Sequence, residues 1–119
     1  MSVDRLERVN ALLKRVLGEG IYRVMQHDDI SPVLLTVTGV SCSSDLRDAT
    51  VSVSVLGDED LRRRAIGHLT HHARDLQKIL AREVRLKFTP RLHFKSDMSL
   101  EKGDRVLAIL DSLENPPKE

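Results

Sequence analysis

Apolar residues recur at every third or fourth position of residues 61–84, and this long helical pattern constrains the fold more than any other feature of the sequence. They are Leu61, Ala65, Leu69, Ala73, Leu76, Leu80 and Val84. One straight helix over residues 59–85 would be about 40 Å long at roughly 1.5 Å per residue, whereas a compact domain of this length has a diameter of about 35 Å. We therefore predict a bend within residues 70–74 that yields two helices. The exposed turn between them should present free backbone N–H groups, which suit a phosphate group.

The same region carries most of the positive charge. Residues 61–95 contain ten basic and two acidic residues, a net charge of +8, although the net charge of the whole chain is only +1. The segments on either side are therefore acidic. This asymmetry suggests a polyanionic partner. The alternative is a solvated helix face that happens to be rich in arginine.

Length and composition favour one small domain. We predict a single domain over residues 1–114 and a flexible tail over residues 115–119. The chain has one cysteine, Cys42, and no apolar run of signal or membrane-spanning length, which indicates a reduced, cytoplasmic setting. Because the chain has no tryptophan, one tyrosine and two phenylalanines, a broad aromatic platform for stacking bases is not expected.

Helical spacing also marks both ends of the chain. The first helix either continues over residues 6–26 or breaks at Gly18 and Gly20, because glycine weakens a helix by about 1 kcal/mol relative to alanine. The last helix begins near Ser99 and extends over residues 99–113. Together with the two helices of the central region, these make four predicted helices.

Alternation of apolar and polar residues predicts three strands. They cover residues 33–41, 49–55 and 91–95. A change of phase at Thr38-Gly39 predicts a bulge in the first strand, and either Asp58 or Asp60 can cap the helix that follows the second. The order is helix, strand, strand, helix, helix, strand, helix. This order predicts an α+β fold with the helices on one face of a three-stranded sheet.

The sequence lacks the motifs of known catalytic sites. It has no glycine-rich phosphate loop, no nucleophile motif and no acid pair at a catalytic spacing. His68, His71 and His72 are spaced so that two or three imidazoles share one helix face and could bind zinc. A zinc site usually needs further ligands from elsewhere, and the sequence indicates none. We therefore favour histidines that face solvent or phosphate.

Two groups of residues resemble the signature of a known family. The first is Ser44-Asp45-Leu46 with Ala49, Val51 and Ser54, and the second is Lys87-Phe88-Thr89-Pro90 with Leu92, Phe94, Asp97, Ser99, Gly103 and Arg105. Together they are similar to the ribosome-binding factor A family over residues 5–113. The combination is far more specific than either group alone.

This resemblance implies a type II KH-like fold and a role in late maturation of the small (30S) ribosomal subunit. Family members support processing of the 5′ end of the small-subunit rRNA and are especially important in the cold. The family replaces the KH Gly-x-x-Gly loop with an interrupted helix marked by Ala-x-Gly. That element corresponds to His72-Ala73-Arg74, where arginine stands in place of the glycine.

We therefore predict a protein that binds RNA and is not an enzyme. The residues expected to contact RNA are Arg5, Arg8, Arg74, Lys78, Arg82, Arg85, Lys87, Arg91, His93 and Lys95. The expected partners are the 30S subunit and its 16S rRNA. No membrane, small-molecule substrate, metal or cofactor is expected, and the protein should be a monomer. The alternatives are a protein-interaction module with a basic surface and a metal-dependent protein that uses the histidine cluster.

Overall fold

The computed structural model describes residues 3–98, which form helices and strands in the predicted order. The elements are α1 (Val3–Val24), a 3-10 turn (Pro32–Leu34), β1 (Leu35–Cys42), β2 (Asp48–Val55), α2 (Glu59–His71), α3 (Ala73–Glu83) and β3 (Arg91–Ser96). The predicted last helix and tail lie outside the described residues. No helix within residues 3–98 is both long enough and apolar enough to span a membrane.

The three strands form one mixed sheet in the order β1-β2-β3. β1 and β2 are antiparallel, and β2 and β3 are parallel. Along β2, Ala49, Val51, Val53 and Val55 are buried on the side of the helices, whereas the residues between them are only partly buried. The predicted α+β architecture, with helices covering one face of the sheet, is therefore confirmed for the described residues.

The first strand begins two residues later than predicted. Ser31 accepts a hydrogen bond from the amide of Val33 through its side-chain oxygen (3.4 Å), and Pro32 starts the 3-10 turn. Val33 is consequently 70% exposed rather than part of the strand. Proline favours a turn here because its φ is fixed and its nitrogen carries no proton for a sheet hydrogen bond. The prediction that the first strand begins at Val33 was therefore wrong.

The bulge in β1 lies where the sequence predicts it. Val37 pairs with Val53 and Gly39 pairs with Ser52, so that Thr38 is the extra residue of β1. The Thr38 hydroxyl donates to the carbonyl oxygen of Ser52 at 3.2 Å. The bulge shifts the phase of β1 by one residue, as the change of hydrophobic period indicates.

Helix α1 continues through both of its glycines. A Cβ atom at Gly20 would lie 3.2 Å from Leu76 Cδ2 and 3.4 Å from Ile79 Cδ1, whereas Gly18 faces open space. Gly20 therefore lets α1 approach α3 closely. Of the two possibilities that the sequence left open for α1, the unbroken helix is correct, and it ends at Val24.

The central helical region is interrupted at His72, within the predicted range. His72 has φ −89° and ψ 5°, which lie in the bridge region that ordinary residues can adopt. The hydroxyl of Thr70 donates to the carbonyl of Ile66 at 2.9 Å, a contact that tends to bend helices. No positive φ is needed at the interruption, so the family's glycine is not required for it.

The interruption does not present the free backbone donor that we expected. The amide of His72 donates to the carbonyl oxygens of His68 at 3.0 Å and Leu69 at 3.1 Å. The expectation was wrong for this residue because the break is only one residue long, so the amide still reaches the preceding helical turn.

The start of α2 confirms the first of the two predicted caps. Asp58 accepts a hydrogen bond from the Leu61 amide through Oδ1 (2.8 Å). Gly57, which precedes it, has φ 157°, and a Cβ atom there would clash with the Leu61 side chain. The turn into α2 therefore requires glycine at this position.

The core lies between the sheet and the helices. Its largest fully buried aliphatic side chains are Leu13, Leu17, Met25, Ile30, Val51, Val53, Leu69, Leu76 and Leu80. Cys42 is buried at the end of β1, and burial raises the pKa of its thiol. A thiol held in its neutral form suits a packing role.

Candidate nucleic-acid interface

One side of α3 carries three exposed cations. Arg74, Lys78 and Arg82 follow one another at intervals of four residues, or about 6 Å along the helix. The buried residues of the same helix, Leu76 and Leu80 among them, lie on its other side. We call the three cations the α3 face. The three cations are exposed because the apolar residues on the other side of the helix pack in the core.

A second group of cations surrounds a groove at one end of the domain. The groove is lined by Arg5, Asp45, Leu46, Arg47, Arg85, Leu86, Lys87 and Phe88, and an adjoining depression by Arg47, Phe88, Thr89 and Arg91. We call this combined surface the basic groove. It joins the start of α1, the β1–β2 loop and the segment between α3 and β3. A hydrogen bond from the Arg91 amide to the Arg47 carbonyl (2.8 Å) ties the loop to the beginning of β3.

The β1–β2 loop is held in shape by its own side chains. The Ser43 hydroxyl donates to Asp45 Oδ1 at 2.6 Å, and the Arg47 amide donates to the same oxygen at 3.1 Å. Leu46 has φ 59°, in the left-handed region, and its amide donates to the Ser43 carbonyl at 2.9 Å. The hydrogen bonds from Ser43 and Arg47 lower the pKa of Asp45. The basic groove therefore contains one carboxylate that stays ionised at neutral pH.

Phe88 is the aromatic side chain of the basic groove. It is 55% exposed. The Lys87 ammonium lies 5.5 Å from the centroid of the ring, and the Arg47 guanidinium lies 5.8 Å from it. Both distances are within the range of cation–π attraction. From the sequence, Phe88 was predicted only as part of the family signature, and Arg47 was not among the residues predicted to contact RNA.

The predicted cations of β3 lie on the open face of the sheet. Arg91, His93 and Lys95 are exposed, and Leu92 between them is buried. Asp48 of β2 pairs with Arg91 in the strand register. Its Oδ1 lies 3.4 Å from Arg91 Nε and 2.9 Å from His93 Nε2. An acidic side chain therefore offsets part of the positive charge on this face.

The ten predicted residues consequently form three groups and not one continuous surface. Arg5, Arg85, Lys87 and Arg91 meet at the basic groove, with Arg8 one helical turn beyond Arg5. The α3 face belongs to the helical layer. His93 and Lys95 project from the opposite side of the sheet. Arg47 was the missing member of the basic groove, and its position directly after Ser44-Asp45-Leu46 was the available signal.

Two of the three clustered histidines are bound to one carboxylate. His68 Nδ1 lies 2.8 Å from Asp28 Oδ2, and His72 Nε2 lies 2.9 Å from the same oxygen. Each of these two nitrogens donates a hydrogen bond, because a carboxylate oxygen can only accept one. These hydrogen bonds, that of His68 first, lower the pKa of Asp28. Asp29 lies beside them, 2.9 Å from Arg64 Nη2 and 3.4 Å from His68 Nε2. These contacts hold the segment after α1 against the end of α2 and the interruption at His72.

This arrangement changes the interpretation of the histidines. His68 and His72 are half-buried against Asp28, so the expectation that they face solvent or phosphate was wrong for both, and His71 is exposed. Within residues 3–98, no group of three or more His, Cys, Asp and Glu side chains is arranged to hold a metal ion. Nothing in the sequence indicated this role of Asp28, because its contact with His68 joins residues 40 positions apart.

The element order and the mixed three-stranded sheet define the class of protein as a KH-like α+β domain. A model of the family described as "Ribosome-binding factor A" matches residues 5–110. The chain belongs to the ribosome-binding factor A family. It is 33% identical to ribosome-binding factor A from Microcystis aeruginosa over 117 residues, which are 97% of this chain and 91% of the relative. It is 36% identical to that of Dictyoglomus thermophilum over 110 residues, which are 92% and 91% of the two chains.

Solved structures give the same assignment. The crystal structure of ribosome-binding factor A from Thermus thermophilus superposes with a TM-score of 0.66 at 33% identity, over 76% of this chain and 94% of that one. A homology model of the Thermus thermophilus protein, fitted into a cryo-EM map of a 30S–RbfA complex, superposes with a TM-score of 0.58 at 34% identity. That match covers 75% of this chain and 91% of the other.

Proposed function

We propose that this chain is an assembly factor that binds the small (30S) ribosomal subunit through 16S rRNA during late maturation. The observation that carries the proposal is the likeness to the Thermus thermophilus protein fitted into a map of its complex with the 30S subunit. Membership of a family of ribosome-binding factors supports it. The protein acts as a monomer in the cytoplasm, and it promotes processing of the 5′ end of 16S rRNA, most noticeably in the cold.

Binding on this proposal is largely electrostatic. The α3 face and the basic groove neutralise rRNA phosphates, and such contacts position a protein on RNA without reading its sequence. Selectivity for the subunit comes from the shape of the RNA and from its unpaired segments. No residue is assigned a catalytic role, so processing of the rRNA depends on the RNA conformation that the bound protein favours.

Co-sedimentation tests this function directly. The protein is centrifuged with free 30S subunits, with mature 70S ribosomes and without ribosomes, and the pellets are analysed. We expect it in the 30S pellet and not in the ribosome-free control. A protein that pellets with neither ribosomal sample would overturn the proposal. Binding that is insensitive to salt would instead favour contact with ribosomal proteins, because phosphate contacts release counterions.

The processing role needs a separate measurement. In cells without the protein, primer extension should show more 16S rRNA with an extended 5′ end, and the excess should grow at low temperature. Equal amounts of mature 5′ end with and without the protein, at both temperatures, would limit its function to subunit binding.

A further inference from the structure

We infer that the basic groove holds one unpaired nucleotide, whose base stacks on Phe88 and whose phosphates contact the surrounding cations. The inference rests on the proposed function and adds to it a specific RNA conformation and a specific side chain. Among the residues predicted from the sequence to contact RNA, this groove was represented only by its cations.

Phe88 differs from the other exposed apolar side chains of the described residues. Val33 and Leu56 are more exposed, at 70% and 75%, but single exposed aliphatic residues are common and need no partner. Val33 and Tyr22 line a groove of their own, but among the described residues Phe88 is the ring with cations over it, at 5.5 and 5.8 Å. An aromatic ring beside cations matches a nucleotide, which carries a flat base next to a negatively charged phosphate.

The charges of the basic groove indicate where the phosphates lie. Asp45 is ionised, and it lies 4.0 Å from Arg47. Its negative charge repels phosphate from the β1–β2 loop, so the backbone of the nucleotide runs on the side of Arg85 and Lys87. The Lys87 side chain is exposed and long, so its ammonium can leave the ring of Phe88 and bind phosphate when a base takes its place.

The nucleotide must be unpaired for geometric reasons. A base inside a duplex has both faces covered by its neighbours, and an A-form helix offers its edges and 2′-hydroxyls to a protein. A bulged or single-stranded nucleotide can place one face on a phenyl ring. Only one such base stacks here, because Phe88 is the one aromatic residue among the described residues that line the basic groove, whereas Tyr22 lines a different depression. Since every base has an aromatic face, we expect little preference among the four.

A tryptophan at this position would report stacking directly. The natural chain has no tryptophan, so the variant Phe88→Trp carries a single tryptophan, in the basic groove. An RNA hairpin whose strands are joined by a non-nucleotide linker and which has one bulged nucleotide should quench its fluorescence. The same hairpin without the bulge should not, because it has no unpaired base. The anisotropy of the labelled RNA is followed in the same titration. Binding of the bulged hairpin without quenching would overturn the inference.

A second set of variants tests the contribution to subunit binding. Phe88→Leu keeps an apolar side chain but removes the ring, and its affinity for 30S subunits should fall by roughly 5- to 150-fold, the effect of losing one stacked base. The slope of log affinity against log salt should stay the same, because no charge is lost. Phe88→Tyr should restore binding. The matched control is Tyr22→Leu, which removes an aromatic side chain of similar exposure (50%) and should bind like the natural protein.

The outcomes separate this inference from the proposed function. If the natural protein binds 30S subunits and Phe88→Leu binds equally well, the stacking site is refuted and the proposed function stands. If the natural protein fails to bind subunits while the bulged hairpin still quenches the Phe88→Trp variant, the nucleotide site stands and the proposed function does not. Quenching by an acidic peptide at the same concentration, with none by RNA, would assign the groove to a protein partner and refute the inference.

Discussion

The α3 face and the basic groove contain the same kinds of cation but differ in how the chain brings them together. Three cations of one helix make the α3 face. Three separate parts of the chain make the basic groove, which also contains a phenyl ring and a carboxylate. A basic surface can therefore act in two ways. Charge alone attracts any RNA, whereas charge around an aromatic ring selects RNA with an accessible base.

Among the changes of charge, reversal of the α3 face should have the largest effect on binding. Replacing Arg74, Lys78 and Arg82 together with Glu should lower the affinity for 30S subunits on the order of 100-fold, at about 1 kcal/mol for each exposed ionic contact. The plot of log affinity against log salt should flatten by roughly two to three units, given about 0.7 to 0.9 per phosphate contact. Filter binding or sedimentation over a salt series measures both quantities, and circular dichroism checks the fold.

The matched control reverses three exposed cations elsewhere. The triple variant Lys14→Glu, Arg15→Glu and Arg63→Glu has the same net charge, and these residues belong to neither the α3 face nor the basic groove. Its binding should be reduced much less. An equal loss in both variants would mean that total charge, and not the α3 face, controls affinity.

Neutralising the basic groove should have a smaller effect. The double variant Arg47→Gln and Lys87→Gln removes the two cations over the Phe88 ring, and we expect an affinity loss on the order of tenfold. The salt slope should flatten by roughly 0.7 to 0.9, because of these two cations only Lys87 lies on the side of the phosphates. The exchange Arg47→Lys with Lys87→Arg keeps both charges and should largely preserve binding. A double Gln variant with an unchanged slope would remove the groove from the phosphate-binding surface.

The smallest effect on binding should come from the support of the α3 face. Asp28→Asn removes the charge that holds His68, near the end of α2, and His72, at the interruption itself. We expect a lower Tm and a modest loss of affinity, because α3 is then less firmly oriented. Thermal denaturation followed by circular dichroism measures the Tm. Asp29→Asn is the control. Asp29 is 67% exposed, and ion pairs this open contribute little to stability, so its Tm should change less.

The contribution of Asp28 should also depend on pH. Its pKa is lowered in the folded protein by the hydrogen bonds from His68 and His72, whereas an unfolded aspartate has a pKa of about 3.9. The stabilisation is therefore fully present above that value and is lost as the pH falls through the folded pKa. The Tm of the natural protein should exceed that of Asp28→Asn at pH 7, and the two should converge under acidic conditions. A constant difference down to acidic pH would refute this assignment.

The interruption at His72 shows why part of the fold was predictable and why its cause was not. The length of the apolar pattern predicted a break within residues 70–74, and α2 does end there. Yet α1, a 22-residue helix with two glycines, is unbroken. Length and glycine content are therefore insufficient to locate a break. The contacts of the segment around Asp28 distinguish the two regions, and they join residues far apart in the sequence.

Periodicity by itself determined what depends on neighbours along the chain. It determined the α3 face, the bulge in β1 and the side of β2 that is buried, because side-chain direction in a helix or strand follows from position alone. Periodicity also predicted the α+β order of elements, and the resemblance to the family implied the KH-like form of that fold. Tertiary structure alone decided the contacts of Asp28, the exposure of Phe88 and the joining of Arg47 to Arg5, Arg85 and Lys87. Each of these depends on which loops come into contact once the sheet and helices have packed. Such contacts join residues far apart in the chain, so no local periodicity predicts them.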